Sequence, residues 1–139
     1  AHYVDRTRWQ SEMERIFRRL PLVLAFSTEL RAPGQYRSMV VADVPVLIVR
    51  GEDGTARAFL NACAHRGAMV VEEGAGEAAR FVCPYHAWAY DDQGALLGIY
   101  KQKDFGELDK SCHGLKSLPL YERAGIKARM ITVSIAIDP

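Results

Sequence analysis

The sequence predicts a mainly β fold preceded by one amphipathic helix. Residues 7–20 hold an apolar stripe at helical spacing, and from Leu22 onward short apolar or alternating runs are separated by turn signals. The composition fits: 49% hydrophobic and 25% charged residues over 139 positions are enough for one hydrophobic core and argue against disorder.

Taking the elements in order, Trp9, Met13, Ile16, Phe17 and Leu20 line one face of a helix over 7–20, a face that by default belongs to the core. A second reading leaves that stripe as an exposed apolar patch. Thr7 and Gln10 have the spacing of a capping box. Pro21 is a stop, because proline disfavours helical geometry in the residue before it and has no N–H to donate. Strands are then expected at 35–42, 46–50, 56–61, 80–83, 88–90, 96–100, 118–122 and 126–137. Turn signals separate them at Pro33-Gly34, at 51–54, at 91–94 and at Ala124-Gly125. Residues 101–114 are polar and aperiodic and read as a long surface connection.

Eighteen basic residues against seventeen acidic leave a formal charge of +1 with no basic run, which argues against a phosphate-backbone binder. The longest apolar stretches fall short of the roughly 18 to 20 residues of a membrane span. No charged segment, apolar core and cleavage site marks a secretory leader, so a cytoplasmic location is expected. Three cysteines make a poor disulfide framework, and two of them stand beside histidines. That pattern points to metal.

The metal-ligating pattern is Cys63-Ala64-His65, seventeen residues at 66–82, then Cys83-Pro84-Tyr85-His86. Each half offers one sulfur and one nitrogen after an apolar run that reads as a strand, so two loops at strand ends can close on one centre. Gly67 permits unusual backbone angles in the first loop and Pro84 fixes one in the second. The set suits a [2Fe–2S] cluster in which one iron takes both thiolates and the other both imidazoles. Two ferric ions, two sulfides and two thiolates sum to zero charge, whereas four thiolates would leave the oxidised cluster at minus two. An added electron then meets less repulsion, raising the potential from roughly −400 mV into the range of about −150 to +300 mV. A tetrahedral Cys₂His₂ zinc site is the competing reading of the same four residues.

Residues 61–68 (Asn-Ala-Cys-Ala-His-Arg-Gly-Ala) and 83–90 (Cys-Pro-Tyr-His-Ala-Trp-Ala-Tyr) resemble the two cluster motifs of Rieske domains. The chain closely resembles the N-terminal part of the large subunit of bacterial aromatic ring-hydroxylating dioxygenases, and the likeness extends to the leading helix, to residues 33–36, to 46–54 and to Gly114-Leu115. It implies a Rieske-type antiparallel β-sandwich with two cluster-binding loops over 22–139, after an N-terminal helix at 1–21. Cys63, His65, Cys83 and His86 would be the metal ligands, with Arg66, Gly67, Tyr85 and Trp88 around them. The family usually has glycine where Ala87 stands. Respiratory Rieske proteins carry a disulfide between the loops, but the matching positions here are Ala68 and Tyr85. Without that clip and with few polar donors expected near the sulfides, the predicted potential is about −150 mV.

Arg66 is either a surface ion-pair residue or a docking residue. Trp88 is expected to cover the cluster loop, ahead of any role as an electron stepping stone. Tyr85 either packs or hydrogen-bonds near the cluster through its hydroxyl. Cys112 and His113 read as exposed bystanders in the polar connection, and His2 as part of a frayed terminus.

The resembled oxygenases also hold a mononuclear Fe(II) in a catalytic domain, bound by two histidines and a carboxylate. With His65 and His86 assigned to the cluster, only His2 and His113 remain. The sequence stops at Ile137-Asp138-Pro139, about where such a domain would begin, so a fragment that does not itself catalyse oxygenation is expected. The resemblance implies a ferredoxin or flavin reductase as electron donor and neighbouring oxygenase subunits, commonly in a trimer. A stand-alone Rieske ferredoxin is the alternative, although such carriers commonly begin near the first strand and lack the leading helix.

Overall fold

The computed structural model describes residues 4–124 and 129–136. The expectations for His2, for Gly125, for the first three residues and the last of the 126–137 run, and for the last three positions fall outside the described residues. The chain opens with α1 (Arg6–Glu12). Its cap is Asp5, whose carboxylate accepts from the N–H groups of Thr7 at 2.9 Å and Arg8 at 3.1 Å, which corrects the expected capping box at Thr7 and Gln10. Over Met13–Phe17 the helix widens to a π turn, closed by Arg18 N–H on the Met13 carbonyl at 3.0 Å. Such a turn inserts one residue into the helical register.

The stripe is not core. Trp9, Ile16, Phe17 and Leu20 remain 53%, 44%, 42% and 54% exposed, so no other part of the described chain covers this face. Arg18 is what anchors the segment, bonding the Ala42 carbonyl at 3.2 Å and the Asp43 carboxylate at 2.9 Å.

Among the described residues eleven strands follow, all paired antiparallel. One sheet holds β1 (Leu22–Phe26), β10 (Leu120–Ala124) and β11 (Arg129–Val133), in the order β1-β11-β10. A second holds β2 (Gln35–Val41), β3 (Val44–Arg50), β4 (Ala56–Leu60), β5 (Gly74–Glu77) and β9 (Ser117–Leu118), in the order β5-β2-β3-β4-β9. The third is a short meander of β6 (Phe81–Val82), β7 (Ala89–Tyr90) and β8 (Leu96–Gly98).

Two strands were not predicted. β1 is an apolar run without alternation directly after a helix stop, and β5 is Gly-Ala-Gly-Glu, which carries no strand propensity and is held by register against β2. The single strand expected at 118–122 is instead two, β9 and β10, in different sheets on either side of Pro119.

β3 explains why the molecule has two cores. It is buried on both faces from Val46 onward, as its unbroken apolar sequence requires. Val46 and Ile48 face a core shared with Ala25, Ile131 and Val133, while Leu47 and Val49 face another shared with Phe59, Phe81, Trp88 and Tyr90. The period-two alternation of a strand thus makes β3 the wall between a structural half and the half that carries both Cys- and His-bearing loops. At its end, buried Arg50 donates to the Leu30 carbonyl at 2.8 Å and forks onto Glu122 of β10 with both bonds at 2.9 Å. Ser27 also bonds Glu122. The Arg50 guanidinium holds the Glu122 carboxyl at about 2, well below its ordinary value.

Candidate metal centre

The first loop leaves β4 at Asn61, a fully buried polar residue. Its side-chain amide donates to Ser38 Oγ at 2.8 Å and to the Val71 carbonyl at 2.6 Å, and its carbonyl oxygen accepts from the N–H groups of Val70 and Val71 at 3.0 and 3.1 Å. One side chain therefore ties the two ends of the loop together. Within it, Gly67 N–H donates to the Cys63 carbonyl and Cys63 N–H to the Ala68 carbonyl, both at 2.8 Å.

The second loop is built the same way. Ala87 N–H donates to the Cys83 carbonyl at 2.9 Å and Cys83 N–H to the Trp88 carbonyl at 2.8 Å. In both loops the fourth residue after the cysteine is left-handed, Gly67 with φ +71° and Ala87 with φ +54°. Glycine adopts this conformation without penalty; alanine pays for it in strain between Cβ and backbone.

This shared construction brings like donors together. The thiols of Cys63 and Cys83 are both buried and free, and Cys83 stands close enough to Cys63 to raise its pKa. The rings of His65 and His86 meet edge to face with centroids 4.5 Å apart. Burial raises the Cys63 thiol pKa, the Tyr90 hydrogen bond works against that, and the adjacent Cys83 adds to it. Burial lowers that of His65, with His86 and Arg66 pushing in the same direction, which favours the neutral imidazole a metal requires.

His65 Nδ1 is buried with no hydrogen-bond partner. An orphaned buried nitrogen costs about 1–3 kcal/mol unless another bond satisfies it, and a metal bond would do so. A single tetrahedral zinc needs four donors around one point, whereas two irons need two donors each. Two like pairs with a buried, unpaired imidazole nitrogen fit the cluster.

The profile of the Rieske [2Fe-2S] domain matches residues 21–119. The chain belongs to this family. It is 38% identical over 131 residues to the chlorobenzene dioxygenase subunit alpha of Cupriavidus sp. (strain PS12), covering 94% of this chain and 27% of that protein. It is 36% identical to the glycine betaine monooxygenase oxygenase subunit of Chromohalobacter salexigens, covering 99% of this chain and 30% of that subunit. The solved structure of naphthalene 1,2-dioxygenase with indole bound superposes with a TM-score of 0.84 at 36% identity, covering 96% of this chain and 30% of the other. The chain thus spans about a quarter to a third of the length of these relatives.

Around the donors of this Rieske domain, Trp88 is buried and lies parallel to the His65 ring, 4.9 Å between centroids and 8° between planes. Tyr85 is exposed, with its ring centroid 3.8 Å from that of His86. Arg66 is exposed, and Gly67 serves the backbone turn.

Sequence reasoning assigned no role to Tyr90 or Asn61. The Tyr90 hydroxyl accepts from Ala64 N–H at 3.1 Å and lies 3.1 Å from Cys63 Sγ, to which it donates when that sulfur is a thiolate, since a thiolate has no proton to give. Burial raises its pKa, which keeps the phenol protonated as a donor. The expectation of few polar donors took no account of this one. An Asn and a Tyr at the edges of apolar runs were the available signals, because a buried polar group requires partners. The polar connection also needs correction. It contains short helical turns at Gln102–Phe105 and Lys110–Cys112 that set Phe105 and His113 against Trp88, with ring centroids 5.8 and 5.9 Å away. Cys112 is exposed, but His113 is no bystander.

Proposed function

We propose that Cys63 and Cys83 bind one iron of a Rieske [2Fe–2S] cluster and His65 and His86 the other, and that this domain passes single electrons within an oxygenase large subunit. The observation that supports this reading is the placing of Cys83 beside Cys63 and of the His86 ring against the His65 ring at the ends of two matched loops. When bound, the cluster accepts and releases one electron at a time. The chain's own residues hold the donors in place: Asn61 ties the first loop closed, Tyr90 donates to Cys63, and Trp88 covers one face of His65.

In this reading residues 1–21 are a leading segment and 22–139 the Rieske domain, and electrons arrive from a ferredoxin or flavin reductase. They leave for a mononuclear iron in a catalytic domain, commonly that of an adjacent subunit in a trimer, where an aromatic ring is hydroxylated. A cytoplasmic location is part of this reading. Among the described residues no helix is long and apolar enough to cross a membrane. A quaternary ammonium substrate is the second reading, favoured by the match over 99% of this chain to a glycine betaine monooxygenase subunit.

Electron paramagnetic resonance of the dithionite-reduced protein tests the ligand assignment. Mixed nitrogen and sulfur ligation gives a lower average g value than four-cysteine clusters. A colourless protein, or a spectrum of the four-cysteine type, contradicts it. Oxygen uptake by the full-length protein with its reductase, offered chlorobenzene or glycine betaine, separates the two substrate classes.

A further inference from the structure

We infer that Phe105 is a positioning residue for the His65 imidazole, and that the turn carrying it is shaped for that purpose. The inference rests on the assignment of His65 as a ligand. His65 is ringed by three aromatic groups: Trp88 lies flat on it at 4.9 Å, His86 meets it edge to face at 4.5 Å, and Phe105 meets it edge to face at 5.4 Å with 79° between planes. Phe105 also meets Trp88 edge to face, at 5.8 Å and 73°. The geometry is a corner: Trp88 stops the imidazole from moving along its normal, and Phe105 stops it from swinging out of the stack. Edge-to-face contacts of this kind have a preferred angle, so they constrain orientation as well as position.

The backbone supplies an independent observation. Phe105 ends a short turn, Gln102–Phe105, entered through Lys101 at φ +53° and left through Gly106 at φ +66°. The Lys101 carbonyl accepts from Asp104 N–H at 2.9 Å. A left-handed lysine is a costly way to begin an exposed turn, and such strain persists only where the surroundings hold it. Here the surroundings are the contacts Phe105 makes with two rings of the metal site. The remaining face of Phe105 lines a groove with Tyr85, His86 and Tyr100, so the same side chain stands between His65 and solvent.

The experiment compares the cluster-loaded protein with Phe105→Ala, Phe105→Leu, Phe105→Tyr and a control, Leu108→Ala, which removes a partly buried contact of the same segment with the core. Two readouts are taken: the g-value linewidths of the reduced protein, and the rate at which a chelator bleaches the visible absorption at neutral pH. Phe105→Ala and Phe105→Leu broaden the lines and lose iron about three- to tenfold faster, the worth of an aromatic pair. Phe105→Tyr keeps the ring and restores both readouts to those of the parent. Leu108→Ala lowers thermal stability without broadening the lines. A Phe105→Ala protein with parental linewidths and bleaching rate overturns the inference, as does equal broadening in Leu108→Ala. A parent protein lacking the mixed-ligand spectrum instead overturns the ligand assignment, and this inference with it.

Discussion

Replacing Tyr90 by Phe isolates one hydrogen bond at the metal site. The ring is fully buried and stays in place, so core packing is preserved; only the hydroxyl that donates to Cys63 Sγ at 3.1 Å is removed. The donor matters because its acceptor gains negative charge on reduction. A hydrogen bond to a charged acceptor contributes about 1.5–3 kcal/mol and one to a neutral acceptor about 0.5–1.5 kcal/mol. The reduced form is therefore favoured by about 1–1.5 kcal/mol, which at 59 mV per 1.4 kcal/mol for one electron is roughly 40–65 mV. Tyr90→Phe should lower the reduction potential by that amount. It should also cost about 1 kcal/mol of stability, because Ala64 N–H loses its acceptor. Protein-film voltammetry of parent and variant measures the shift, with electron paramagnetic resonance confirming that the cluster is intact. A fully loaded variant whose potential is unchanged or higher would refute the reasoning.

Three further outcomes follow from the same geometry. Ala87→Gly relieves a left-handed alanine at φ +54°; recovering about 1–2 kcal/mol of strain, less about 0.4–1 kcal/mol of unfolded-state entropy, it should raise the melting temperature by a few degrees. An unchanged or lower midpoint by calorimetry counts against this. Asn61→Ala leaves the N–H groups of Val70 and Val71 without their acceptor, at about 1–3 kcal/mol each, so the iron-to-protein ratio after expression should fall sharply; normal loading would show that the loop does not need its tie. Glu122, depressed from 4.5 to about 2 by Arg50, stabilises the fold by about 3 kcal/mol above pH 4.5 and loses that contribution as pH falls from 4.5 towards 2. The stability difference between parent and Glu122→Gln should shrink across that window in pH-dependent thermal melts, and a constant difference would exclude the mechanism.

The local chemistry was legible without coordinates. A sulfur and a nitrogen donor in each half, Gly67 in one loop and Pro84 in the other, and apolar runs punctuated by turns all depend on neighbours a few residues away. Such patterns also predicted β2, β3 and β4 to within two residues at either end. β5 was invisible because its pairing with β2, and not its own side chains, makes it a strand. The helical stripe at Trp9, Ile16, Phe17 and Leu20 had the right periodicity, but periodicity states that a helix has an apolar face and not what covers it.

What the sequence alone determined is therefore the inventory: a mainly β chain of the Rieske family with two thiols and two imidazoles in paired loops. Tertiary structure decided how those donors are held. Tyr90 reaches Cys63 across 27 positions, Asn61 bonds Ser38 across 23, and Phe105 meets His65 from a connection that carries no period of its own. Contacts of that length depend on how β3 divides the interior into two cores and on which face each residue occupies. The apolar run of β3 calls for cover on both faces, but no short window of sequence says which elements pack against each face.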